Sequence, residues 1–136
     1  EAFSNLEVSR ISMAIWKEGF EIISQSGIKL ASLPGFPVEN LTKLTSLPSL
    51  EAARIFSGIM VKLSKEPLYG SILQSIKRGR VSEIDYINGE FFRLAKDNNL
   101  NALLNKKLVK MVHEVEKTKR FFSKEELLKK TKGLLN

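Results

Sequence analysis

The chain has 136 residues, enough for one domain with a hydrophobic core, and its hydrophobic content of 43% and charged content of 27% are ordinary for a globular protein. It contains no cysteine, which excludes a disulfide framework and a thiolate metal site and is compatible with a reducing cytoplasm. No apolar run approaches the ~20 residues of a membrane span. The first residues lack both an initiator Met and the layout of a signal peptide, so we expect a fragment of a longer cytoplasmic protein.

The net charge of +7 is concentrated near the C-terminus, where residues 105–136 hold ten Lys/Arg against four acids. Such a segment can attract nucleic acid, anionic lipid or a phosphorylated cofactor, or it can be a solvated helix face. Aromatic residues are not interleaved with these lysines as a base-stacking surface requires. The composition therefore favours the solvated face, and we predict neither a nucleic-acid partner nor a membrane.

The first half of the chain predicts three helices around a proline-containing loop. Apolar residues at near-helical spacing predict a long helix over 3–26, with Gly27 as its terminator. Two prolines and a glycine predict a loop over 34–37, which leads into a short helix over 38–44. A further helix is predicted over 50–64. Its apolar stripe comprises Ile55, Phe56, Ile59 and Leu63.

The second half predicts four more helices. A short one over 71–78 is closed by Gly79, and the next runs over 82–96. A third begins at Asn105. The last runs over 123–132 from the sequence SKEE, which matches a capping box. The core stripe of the helix over 82–96 comprises Ile84, Ile87, Phe91 and Leu94.

The pattern as a whole predicts an all-α fold of six or seven helices in one domain over residues 1–136. No segment alternates apolar and polar residues for long enough to indicate a strand. Because the helices differ so much in length, a compact orthogonal arrangement is favoured over a simple bundle.

Few residues are available for catalysis. The one histidine, His113, lies in a basic amphipathic pattern and is interpreted as a surface or packed structural residue. With one histidine and no cysteine, zinc sites and Ser-His-Asp triads have almost no residues to draw on, and we predict no metal site. No Gly-x-Gly-x-x-Gly or Walker pattern is present, so the chain encodes no nucleotide fold.

One stretch, GSILQSIKRGRVSEIDYINGEF over residues 70–91, mixes polar residues and glycines into the helical pattern. Ser71 stands where a helix N-cap belongs, so it can hold a carboxylate or phosphate, or only cap. Glu83 falls in the first turn of the next helix with Ser82 as cap, where the helix dipole alone explains an acid. Gly89 costs ~1 kcal/mol inside that helix, which suggests close approach of another backbone or a ligand. From these residues alone, the stretch can be interpreted either as a functional site or as two capped helices joined by a turn.

The same stretch resembles the C-terminal domain of the ketopantoate reductase (2-dehydropantoate 2-reductase) family. The family pattern is a Ser followed by hydrophobic-Leu-Gln, a basic turn, then Thr/Ser-Glu-Ile-Asp and a hydrophobic-Asn-Gly. In this sequence these positions are residues 71–74, 77–80, 82–85 and 87–89. The resemblance extends loosely over most of the chain, but the central twenty or so residues are the diagnostic ones.

The resemblance implies a fold similar to the C-terminal domain of 6-phosphogluconate dehydrogenase. It also implies an N-terminal Rossmann domain, outside this chain, that binds NADP(H). The full-length enzyme would reduce ketopantoate or a related 2-oxo acid in pantothenate and coenzyme A biosynthesis. Ser71 would hydrogen-bond the substrate carboxylate, and Glu83 would be the catalytic residue at the reacting centre. The structural signature residues would be Asp85, Asn88 and Gly89.

The sequence departs from the family at the catalytic lysine. That lysine is expected in a Lys-x-x-x-Asn-x-x-x-Asn pattern, whereas Lys17 is followed by Glu21 and Gln25. We therefore expect the catalytic lysine outside this chain and predict that the isolated chain is inactive. The alternative function is a stand-alone helical binding or oligomerisation module that uses its basic tail. A homodimer is compatible with either function.

Overall fold

A computed structural model describes residues 4–32, 34, 37–62 and 69–135. Within these residues the chain forms α-helices and no strand, which confirms the all-α prediction. The helices are α1 (Leu6–Gln25), α2 (Val38–Ser46), α3 (Ser49–Lys62), α4 (Ser71–Lys77), α5 (Ile84–Asp97), α6 (Leu103–Thr118) and α7 (Lys124–Thr131). Outside the described residues lie the predicted helix start at Phe3, the loop residue Gly35, and Leu63 with the predicted end of the third helix.

The helix α1 is the central element, in contact with α2, α3, α5, α6 and α7. Asn5 caps its start, since its side-chain oxygen accepts from the backbone N–H groups of Glu7 at 3.1 Å and Val8 at 3.2 Å. Gly27 closes its end with φ +72°, as the sequence predicted. Within the described residues the helix starts at Leu6, because Asn5 has an extended backbone and satisfies the first free N–H groups.

Two apolar clusters lie along α1. Around Met13, the helix packs on Ala52 and Phe56 of α3, with side chains of α2 and the following turn against them. Around Ile22, it packs on Ala95 of α5 and Ala102 before α6. Helix α1 therefore joins an α2–α3 layer to the α5–α6 pair.

The predicted stripe of α3 is wrong at two positions. Phe56 is buried, but Ile55 is 42% exposed and Ile59 is 52% exposed. The buried side of the helix is completed by Ala52 and Ala53 instead. Because alanine is small, α1 can approach α3 closely on the side that carries Ala52 and Ala53. The two isoleucines lie beside this contact rather than in it.

The stripe of α5 is wrong at Ile87, which is 43% exposed. Asn88, next to it in the sequence, is buried in its place. A polar side chain is tolerated there because its amide donates a 2.8 Å hydrogen bond to Asn105 of α6. The paired amides thus replace an apolar contact between the two helices.

Glycine has a packing role in α1 rather than in α5. A Cβ on Gly19 would lie 3.2–3.4 Å from ring atoms of Phe91, so α5 crosses α1 at that point. A Cβ on Gly89 would meet only Asp85 and the carbonyl of Ile84 on its own helix, at 3.6–3.8 Å. The predicted close approach of another backbone at Gly89 is therefore wrong.

The remaining helix boundaries follow the predictions to within two residues. Helix α6 begins at Leu103 rather than Asn105. Helix α7 has the predicted capping box: the Ser123 hydroxyl accepts from the Glu126 N–H, and the Glu126 carboxylate accepts from the Ser123 N–H.

Candidate functional site

Ser71 is the first residue of α4, and the N-cap is Gly70, so the predicted N-cap position of Ser71 is wrong. The reason is local: Gly70 already has the extended cap conformation, with φ −62° and ψ 157°. Ser71 is exposed, and its hydroxyl makes no hydrogen bond to any described residue. It is thus accessible from outside the domain.

A tight turn connects α4 to α5. Gly79 adopts φ +72°, its N–H donates to the carbonyl of Ile76 at 3.0 Å, and the N–H of Arg80 donates to the carbonyl of Ser75 at 2.9 Å. This pair of bonds is a Schellman motif, which requires a left-handed residue after the helix and therefore favours glycine. It ends α4 where the sequence predicted.

Glu83 is the N-cap of α5, one position before the first turn in which it was predicted. Asp85 occupies that first turn. Ser82 was predicted to cap the helix, but its hydroxyl donates to Glu116 of α6 at 2.6 Å and accepts only a long 3.4 Å bond from the Ile84 N–H. The cap position is therefore left to Glu83, whose own side chain makes no hydrogen bond within the described part of the chain.

Four polar residues fasten α5 to α6 beside Glu83; we call Ser82, Asp85, His113 and Glu116 the clasp. One carboxylate oxygen of Glu116 accepts from both the N–H and the hydroxyl of Ser82, at 2.8 and 2.6 Å. The other lies 2.7 Å from Nδ1 of His113, whose Nε2 lies 2.9 Å from a carboxylate oxygen of Asp85. The histidine predicted to be structural thus bridges two acids from two helices.

The charges of the clasp shift the pKa of two groups. The hydrogen bonds of His113 with Glu116 and then Asp85 raise the pKa of its imidazole, because both acceptors favour the protonated ring. Partial burial acts to raise the pKa of Glu116, but its bonds from Ser82 and His113 outweigh burial and lower it. The two carboxylates of the clasp therefore favour the protonated form of His113.

A second polar network lies deeper in the domain. Glu18 of α1 accepts from the N–H groups of Leu104 at 2.9 Å and Asn105 at 2.7 Å, and from the Asn105 side-chain amide at 2.7 Å. Asn105 has no exposed surface and also binds Asn88, one of the predicted signature residues. Glu18 therefore caps α6 from another helix, which the sequence analysis missed. Its signal was an acid on the apolar stripe of α1, three residues after Ile15.

The other two signature residues, Asp85 and Gly89, lie in a groove between α5 and α6. Most of its side chains are basic or apolar. The lining comprises Asp85, Gly89, Phe92, Arg93, Lys96, Lys106, Val109, Lys110 and His113. The structure thus separates the signature residues: Asn88 on the buried side of α5, and the other two on the groove side.

Ser71 and Glu83 lie at the N-terminal ends of successive helices, and no hydrogen bond joins them. Among the described ranges, no group of histidine and acidic side chains is arranged to hold a metal ion. Nor does any helix in the described part have the length and apolar character needed to cross a bilayer. The arrangement offers an exposed hydroxyl and a carboxylate, which suit binding and proton transfer.

The all-α fold of the described residues agrees with the C-terminal domain that the motif over residues 71–89 resembles. The chain matches the family described as "Ketopantoate reductase PanE/ApbA C terminal" over residues 1–116, and it belongs to that family. It is similar to a 2-dehydropantoate 2-reductase from Pyrococcus horikoshii, with 36% identity over 95 residues. That match covers 70% of this chain but 25% of the relative's length. No solved structure matches the chain significantly.

Proposed function

We propose that the chain is the substrate-side helical domain of an NADP(H)-dependent reductase that acts on ketopantoate or a related 2-oxo acid. The observation that carries the proposal is the family match over residues 1–116, which includes the whole motif from Ser71 to Gly89. The relative named 2-dehydropantoate 2-reductase supports the same substrate class. The domain would form one wall of the substrate cleft.

Ser71 is proposed to hydrogen-bond the substrate carboxylate. Its side chain is exposed at the start of α4 and is not engaged by any described residue, so a ligand can reach it. A hydrogen bond to a charged group is worth about 1.5–3 kcal/mol, enough to matter for the binding of a small anion. The family resemblance, rather than the geometry alone, assigns the carboxylate to this hydroxyl.

Glu83 is proposed as the catalytic residue at the reacting carbonyl. Reduction of a 2-oxo acid adds a hydride to the carbonyl carbon and a proton to its oxygen. A part-buried carboxylate at the tip of α5 can orient a proton donor or take part in that transfer. The family's catalytic lysine, which has no counterpart here, would lie on polypeptide outside this chain.

The cofactor is proposed to bind mainly to an N-terminal Rossmann domain of the same protein. NADP(H) supplies the hydride when bound, while residues of this chain position the substrate. We propose the cytoplasm as the compartment, in keeping with a chain that has no cysteine. A homodimer remains compatible with this assignment.

The test uses the full-length protein and an assay of NADPH oxidation with several 2-oxo acids. Glu83→Gln is expected to lower kcat by about 10²–10³-fold, a typical loss for an acid–base group. Ser71→Ala is expected to raise KM about tenfold, since one hydrogen bond to a charged group is lost. Glu90→Gln is the matched control, because Glu90 is on the same helix and pairs with Arg93 of that helix at 3.0 Å.

Two results would contradict the proposal. One is a full-length protein that ignores ketopantoate and every related 2-oxo acid. The other is a full-length enzyme in which Glu83→Gln and Ser71→Ala both behave like the Glu90→Gln control.

A further inference from the structure

The residues on both sides of Glu83 are held by α6. Ser82, immediately before it, is 6% exposed and donates twice to one oxygen of Glu116. Asp85, two positions after it, is reached by Nε2 of His113 at 2.9 Å. The other ring nitrogen of His113 lies 2.7 Å from the second oxygen of Glu116, so both attachments belong to one connected group.

The side chain of Glu83 makes no hydrogen bond to the described residues. Glu83 is the N-cap residue of α5 with φ −82° and ψ 15°, and its side chain makes no cap hydrogen bond. The turn before it contains Gly79, which is in the left-handed region. Because Ser82 adjoins Glu83 and only Ile84 separates Glu83 from Asp85, the backbone direction of Glu83 is set by Ser82 and Asp85.

The clasp is suited to fixing geometry more than to stabilising the fold. The side chains of His113 and Asp85 are 41% and 52% exposed, and ion pairs at that exposure typically contribute about 0–1 kcal/mol. The buried Asn88–Asn105 bond already joins α5 to α6, and Ile84 at the start of α5 is 1% exposed. Four short polar contacts at the end of the helix pair therefore have their main effect on the direction of the segment that carries Glu83.

We propose that Glu116 and His113 are positioning residues for Glu83, acting through Ser82 and Asp85. The catalytic importance of this role rests on the proposed function. The structural part does not, because the position of Glu83 can be measured in this chain alone. Glu116 contributes most, since one of its oxygens takes both hydrogen bonds of Ser82 and the other holds the histidine.

The first experiment measures amide chemical shifts of residues 82–85 by NMR in this chain. Glu116→Ala and His113→Ala are expected to move the amide resonances of Glu83 and Ser82. Glu116→Gln is expected to restore much of the Ser82 shift, because the amide oxygen still accepts from Ser82. Glu114→Gln is the control: it lies on the same helix, removes the 3.1 Å pair with Lys130, and should leave residues 82–85 unchanged. Unmoved resonances in Glu116→Ala would overturn the proposal.

The second experiment places Glu116→Ala and Glu116→Gln in the full-length reductase. We expect Glu116→Ala to lower kcat about tenfold with KM for the 2-oxo acid little changed, and Glu116→Gln to recover part of the loss. A wild-type kcat in Glu116→Ala overturns the positioning role while the reductase function stands. A full-length protein with no turnover of any 2-oxo acid overturns the proposed function, and the NMR shifts then still decide the structural part.

Discussion

A buried asparagine shows how much the fold depends on single polar residues. Asn105 has no exposed surface and links Asn88 of α5, Glu18 of α1 and the start of α6. Asn105→Ala would leave the Asn88 amide unpaired and remove one of the donors to Glu18, so we expect a loss of about 2–3 kcal/mol in the free energy of unfolding. Urea denaturation would measure it.

The matched control for that substitution is Asn101→Ala, at an exposed position four residues away in the sequence. It should change the free energy of unfolding by less than about 0.5 kcal/mol. Equal losses for the two variants would contradict the assignment of Asn105 as the junction of the three helices.

Two glycines in the middle of helices should respond oppositely to alanine. Alanine is favoured over glycine in a helix by about 1 kcal/mol. At Gly89 the new methyl group has ordinary contacts, so Gly89→Ala should stabilise the fold by up to about that amount. At Gly19 it would press on the Phe91 ring at 3.2 Å, so that gain is cancelled or reversed. Thermal unfolding of both variants tests the difference, and equal melting temperatures would contradict it.

At the scale of elements, the pKa shifts of the clasp predict that the stability of the α5–α6 pair depends on pH. The folded-state pKa of His113 is raised above 6.5, so its stabilisation is complete below about pH 6.5 and is lost as the pH rises through the folded value. The folded-state pKa of Glu116 is lowered below 4.5, so its stabilisation is complete above about pH 4.5 and is lost as the pH falls through the folded value. Both contributions are present between these limits.

We therefore expect wild type and His113→Ala to differ most in the free energy of unfolding between about pH 5 and 6, and to converge toward about pH 9. Urea denaturation across this range gives the comparison. Glu114→Gln, which breaks an exposed pair on the same helix, should show no such convergence. A difference that grows above neutral pH would contradict the assigned direction of the His113 shift.

The elements that sequence patterns predicted well are those with local signals. Gly27 and Gly79 ended their helices because a left-handed residue is needed there, and Ser123 with Glu126 formed the capping box. The contact faces were predicted less well. Periodicity assigns apolar residues to the buried face, so it included Ile59, which is exposed, and missed Asn88, which is buried. Such burial is decided by tertiary contacts far away in the sequence.

For the candidate site, too, local features were predicted from the sequence and long-range partners were not. The motif placed Ser71 and Glu83 at helix starts, each within one position of the observed geometry. The partners of this region could not be predicted, because Glu116 is 34 residues from Ser82 and no local pattern pairs them. The roles of Ser71 and Glu83 at a reacting centre stay proposals, because they depend on the proposed substrate cleft.

At the scale of the whole molecule, the basic C-terminal region is partly neutralised within the domain. Arg120 forms two 3.0 Å bonds with Glu126, and Lys130 lies 3.1 Å from Glu114. These pairs favour the interpretation of a solvated, self-complementary helix face over a surface for an acidic partner.

The matched segment is a quarter of its relative's length, so the activity of this chain alone is a separate question. We predict that it neither binds NADPH nor oxidises it with ketopantoate, because the sequence holds no glycine-rich dinucleotide turn and no match to the family's lysine pattern. Isothermal titration with NADPH and an absorbance assay test this, with the full-length protein as the positive control. Turnover by the isolated chain would contradict the proposal that a separate domain binds the cofactor. The cofactor site and the proton donor would then have to be built from this chain, including helices α1–α7.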